Sequence, residues 1–241
     1  MIELNKIESK YFNLVEGEIS VKEFEHWVYN SKWLENELSE IEYIDLISLN
    51  YNTPSAKYEI GKILNERLDE GKFETVRMVN LLDSIIERDG NEGIALTKMY
   101  DLYCNGYYFL EDLGLGIGLF VHVPIKYGVE YFHELKESQK NELVNSVYPE
   151  VKELAGELKN WLLVGDLKLT GKQKPRLNRW QFIDSRVEKD KESRVWGVSD
   201  IDKKTDKIRS KKNLLLDKNG DFKSDEKMKE SWLKRIFKKR N

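Results

Sequence analysis

Two serine-led helix starts, each with a glutamate three residues on, constrain this chain more than any other feature. Ser20-Val-Lys-Glu23 and Ser39-Glu-Ile-Glu42 both have the capping-box pattern. In it, a hydroxyl and a carboxylate satisfy backbone amides that a helix start leaves open. Behind the first box, Val21, Phe24 and Val28 form one strip at helical spacing, and Trp27, Leu34 and Leu38 a second. Behind the second box come Ile41, Ile44 and Ile47. Thr53-Pro54 supplies a cap and a proline at the first helical position, where a missing amide costs nothing. Ile60, Leu64 and Leu68 follow, and Gly71 is expected to close that helix. Phe73, Val76 and Val79 open another helix, which ends near Asp89-Gly90, and Leu96, Met99, Tyr100, Tyr103 and Tyr107 make the cleanest stripe. Helix after helix with short connections predicts an antiparallel helical bundle or array.

The pattern changes after Asn105-Gly106. Gly114 to Pro124 alternates small and apolar residues and reads as a buried loop or short strand. A second helical block carries Val144, Val147, Tyr148, Val151, Leu154, Leu158, Trp161 and Leu162, with Pro149 starting a helix or kinking one. From Gly165 the signals turn β-like. Asp166 to Thr170 alternates, Gly171 turns, and Trp180 to Ile183 pairs back, giving a small antiparallel hairpin or meander near residues 166–198 in which Arg194 to Val198 is a further strand. Residues 199–212 are polar and read as a linker, and Ser224 to Arg240 as a basic helix with Met228, Trp232, Leu233, Ile236 and Phe237 on its apolar side. The expected fold is therefore mainly α, an antiparallel helical array with a small β element and a C-terminal basic helix. Its domains are an acidic helical body, residues 1–186, and a basic extension, residues 187–241.

Charge divides the chain more sharply than composition does. The net −3 hides a body, residues 1–165, with 16 Lys+Arg against 30 Asp+Glu, or −14. Residues 166–241 hold 24 against 13, or +11. Such asymmetry bears on partners, not on fold. An acidic body suits a basic partner. A basic extension can meet nucleic acid or an anionic membrane, or fold back onto the body. The 241 residues suffice for a sizeable core, and 11% aromatic residues argue against wholesale disorder. The start has no basic segment followed by an apolar one, as a secretory signal would. Leu113 to Ile125, the most apolar stretch, has 13 residues, short of the roughly 20 that a membrane span needs. A cytoplasmic protein without a transmembrane segment is expected.

No catalytic motif emerges. Gly114-x-Gly116-x-Gly118 departs from the dinucleotide-binding spacing and lacks the strand before it. Asp217 to Asp221 fails as a calcium loop, because Phe222 stands where glycine is required. His26, His122 and His133 have no metal-ligand spacing, and no nucleophile elbow exists. Cys104, the single cysteine, is expected to be a buried, inert thiol. An unrecognised active site would centre on Cys104, Tyr107, His122 and the Gly114–Gly118 segment. The expectation is a protein that is not an enzyme and holds no cofactor or metal. Two features remain. One is an acidic ridge of Glu35, Glu37, Glu40, Glu42 and Asp45, with Trp33 and Tyr43 as aromatic anchors, proposed to bind a partner. First-turn placement against the helix dipole accounts for Glu40 and Glu42, but poorly for Glu35 and Glu37. The other is the terminal helix, with Lys227, Lys229, Lys234, Arg235, Lys238, Lys239 and Arg240, suited to nucleic acid or an anionic surface.

Several stretches also carry a resemblance: FEHWVYNSKWLE with EYIDLISLNY, YDLYCNGYYFLEDLGLGIGL, and NWLLVGDLKLTG with QFIDSR. Over roughly residues 18–186 the chain resembles uncharacterised bacterial proteins found beside polymorphic or contact-dependent toxins, whose small acidic members act as immunity proteins. That resemblance implies a stoichiometric inhibitor of a cognate protein toxin. The basic extension falls outside it. The alternative is a nucleic-acid or anionic-surface binder acting through that extension.

Overall fold

The computed structural model describes residues 2–174 and 179–193, which are mainly helical with one two-stranded antiparallel sheet. The chain divides into two compact units, Met1–Asp83 with Glu157–Asp184, and Ser84–Gly156 with the segment from Ser185.

The first unit begins with α1 (Lys6–Glu16), α2 (Val21–Asn30), α3 (Leu34–Glu37), α4 (Glu40–Ser48) and α5 (Ala56–Ile63). Both expected capping boxes form, at Ser20 with Glu23 and at Ser39 with Glu42. A third starts α1, where the Asn5 side chain accepts from the Ile7 and Glu8 amides at 2.9 Å each. Leu14, Phe24, Leu34, Leu46 and Ile60 bury their side chains completely here. Each contributes about 2 kcal/mol by leaving water.

Several sequence expectations change in this unit. The strip through Trp27, Leu34 and Leu38 spans two helices, since α2 stops at Asn30 and Leu34 opens the short α3. Of the isoleucine strip, Ile41 and Ile44 face solvent, 74% and 49% exposed, while α4 buries Leu46 instead. Apolar residues lie on nearly every side of α4, so spacing alone does not choose the buried face; its packing on α2, α3 and α5 does. Gly71 does not close α5. It lies in the first turn of α6 (Glu70–Glu87), where a Cβ would sit 2.3 Å from the Leu169 carbonyl oxygen. Pro54 precedes α5 by a turn, in which the Ala56 amide donates to the Thr53 carbonyl at 3.1 Å.

The same unit holds the hairpin of β1 (Leu167–Lys174) and β2 (Arg179–Asp184), antiparallel, with Leu167 opposite Asp184 and Leu169 opposite Phe182. Gly171 is not its turn. It lies inside β1 at φ +66°, at the register irregularity between Leu169 and Gln173, and its missing Cβ makes room for the Glu70 backbone. The connecting residues 175–178 and the expected strand from Arg194 lie outside the described residues.

The second unit contains α7 (Glu92–Cys104), a 3₁₀ turn (Tyr108–Leu110), a π-helix (Glu111–Gly118), α8 (Leu119–His122), α9 (Glu137–Asn145) and the start of α10 (Glu150–Val164). Pro149 stands immediately before α10. The expected loop or strand at Gly114–Pro124 is thus helical as far as His122. Its glycines serve close packing: a Cβ on Gly114 would meet the Met99 carbonyl oxygen at 2.6 Å, and one on Gly118 the Leu96 carbonyl oxygen at 2.8 Å. Small residues four apart let the π-helix lie directly on the α7 backbone, where larger side chains would hold the two apart. By length and composition alone, Tyr108–Tyr127 is long and apolar enough to cross a membrane, so length does not exclude this segment. A short helix, α11 (Glu188–Lys191), follows the hairpin, and the expected C-terminal basic helix lies outside the described residues.

Candidate functional site

The predicted ridge residues lie on α3 and α4, but one of them is already engaged. Glu42 receives Arg67 in a two-pronged ion pair, Nε to Oε1 at 2.7 Å and Nη2 to Oε2 at 2.8 Å. It also closes its capping box, accepting from the Ser39 amide and hydroxyl at 2.7 Å each. The Arg67 guanidinium pulls the Glu42 carboxyl down to about 2, against its partial burial. Glu42 therefore holds the connection after α5 to the start of α4 and has no free carboxylate for a partner. Glu37 adds to the negative field that raises the Arg67 pKa.

Glu35, Glu37, Glu40 and Asp45 are exposed. Trp33 and Tyr43 are half-buried and pack against the first unit's core. Lys6 Nζ lies 5.4 Å from the Trp33 ring centre, a cation–π contact that occupies one face of the ring. The aromatic anchors of the ridge thus serve the core first. The exposed apolar surface comes from Ile41 and Ile44 instead. At about 100° per residue, Glu40, Ile44, Ser48, Ile41 and Asp45 follow one another around roughly 140° of α4. Two isoleucines in water, bracketed by two carboxylates, make an apolar centre with an acidic rim. No polarity pattern announced it, because isoleucines at helical spacing ordinarily signal core.

The alternative centre around Cys104 takes a different form from the one expected. Cys104 is exposed, not buried. It directly follows the stripe residue Tyr103, but one step along a helix is a rotation of about 100°, enough to leave the packed face. Tyr100, one turn earlier, hydrogen-bonds Cys104, which raises the phenol's pKa. Rings then follow in sequence, Tyr100 to His122 at 5.2 Å, His122 to Tyr131 at 5.8 Å, and Tyr131 stacked on His133 at 5.6 Å. Tyr107 is fully buried, away from solvent. Among the described residues, no group of three or more His, Cys, Asp or Glu side chains comes together to hold a metal ion. His26 is exposed on α2, and the Asp217–Asp221 turn lies outside the described residues. Comparison with protein-family models, with curated proteins and with solved structures finds no match in any of the three.

Proposed function

We propose that the chain is a non-catalytic binding protein, an immunity-like inhibitor that neutralises a basic bacterial toxin in the cytoplasm through the solvent face of α4. The carrying observation is the exposure of Ile41 and Ile44 between Glu40 and Asp45. An apolar centre supplies affinity once water is excluded from it, and acidic surroundings steer a cationic partner and speed encounter. The −14 of residues 1–165 extends that steering field well beyond the helix. The test is co-expression with the product of the adjacent gene, followed by co-purification at low and high salt. Expected are rescue of growth and a complex that weakens steeply with salt. Ile41→Asp with Ile44→Asp should abolish both effects while leaving the far-UV dichroism unchanged. Rescue that survives the double variant would overturn the α4 assignment. Retention on DNA or anionic vesicles, with no protein partner, would favour the basic extension as the working part.

A further inference from the structure

A concave site lies elsewhere in the first unit, a cleft of about 510 Å³ walled by Tyr11, Tyr58, Phe73 and Trp180. Its volume falls within the range of sites for small ligands, roughly 300–1,000 Å³. Four aromatic residues from four elements converge on it, α1, α5, α6 and β2, and the Tyr11 and Phe73 rings stand 6.1 Å apart. Tyr58 is 71% exposed, and a tyrosine so placed at a cleft mouth packs little of the core.

Charge around the cleft decides what fits. Arg77 lines it but is already neutralised: Nε and Nη2 reach Glu16 at 2.7 and 2.6 Å, and Nη1 pairs with Glu74. Lys62 stands at the edge, exposed. Glu70 and Glu74 line the cleft beside Lys62 and Arg77, and Glu16, outside the lining, shares Arg77 with Glu74, so around the site carboxylates outnumber cations by three to two. The Tyr11 phenol senses the sign directly. Burial raises its pKa first, Glu70 raises it further, and Arg77 opposes with the smaller effect. Electron-rich ring faces in a negative field suit a cation that sheds water easily.

We infer that this cleft is a binding site for a small organic cation, an alkylammonium or alkylguanidinium, held against the Tyr11 and Tyr58 rings and paired with Glu70. The site is separate from the α4 face and stands or falls without it.

Calorimetric titration of the full chain with choline and with agmatine tests this, with acetate as the anionic probe. Saturable binding of at least one cation and none of acetate is expected. Tyr58→Ala and Glu70→Gln should each weaken binding about fivefold, with dichroism and melting temperature confirming that both variants fold. Ile41→Asp should leave cation binding unchanged, which separates this site from the α4 face. No saturable binding of either cation overturns the inference, as does equal binding of acetate or full affinity in both variants.

Discussion

Glu42 carries two duties with one carboxylate: it closes a capping box and grips Arg67. Its pKa falls from an ordinary value near 4.5 to about 2 chiefly because Arg67 hydrogen-bonds the charged form. A carboxyl whose folded pKa is depressed contributes stability that is fully present above the unfolded value and disappears as pH falls through the folded one. The loss belongs between about pH 4.5 and pH 2. The pair keeps contact with solvent, its side chains 28% and 18% exposed, so screening trims its worth to about 1–2 kcal/mol. Glu42→Gln should lower the unfolding free energy by that amount at pH 7 and flatten stability against pH across the window. Urea titrations of both proteins from pH 7 down to pH 2 read this directly, and parallel curves would refute it.

At the scale of the element, the π-helix over Glu111–Gly118 depends on two missing methyl groups. Gly118→Ala would place a Cβ 2.8 Å from the Leu96 carbonyl oxygen, and backbone cannot swing aside as a side chain can. A loss of about 1–3 kcal/mol is expected from the forced separation of the π-helix and α7. Gly156→Ala offers the opposite case: it lies inside α10 with nothing within 4 Å of the added Cβ. There alanine should gain about 0.5–1 kcal/mol by restricting the unfolded chain and favouring helix. Thermal melts of the two variants should shift in opposite directions. Elements of this kind show what sequence could and could not disclose. Capping boxes at Ser20 and Ser39 were legible because each is a local pattern whose hydrogen bonds close within four residues. The π-helix was not: its glycines answer to the α7 carbonyls of Leu96 and Met99, a tertiary reason that imitates a loop when only neighbours along the chain are counted. Ile41 and Ile44 misled in the other direction, since α4 offers apolar residues on both faces and only its packing reveals which face stays wet. The ridge acids were legible as exposed charge, except for Glu42, whose partner lies 25 residues away.

Over the whole molecule, opposite charge at the two ends makes the basic extension the natural competitor for any basic partner of the acidic body. A chain ending at Ser193 keeps every described residue and removes 16 Lys+Arg and 8 Asp+Glu, so the net charge moves from −3 to −11. If α4 captures a basic protein, the shortened chain carries a stronger attractive field and loses a source of repulsion toward that partner. Its association rate at low ionic strength should then rise, by about two- to tenfold, and fall more steeply as salt is added. Dissociation should change little, because the Ile41 and Ile44 contacts are untouched. Stopped-flow association of the full and shortened chains with the co-purified partner, at about 20 and 200 mM salt, measures both quantities. Slower association of the shortened chain, or a complex that no longer forms, would mean that the extension belongs to the interface. Partner capture would then have to be reassigned from the acidic helix to the basic end.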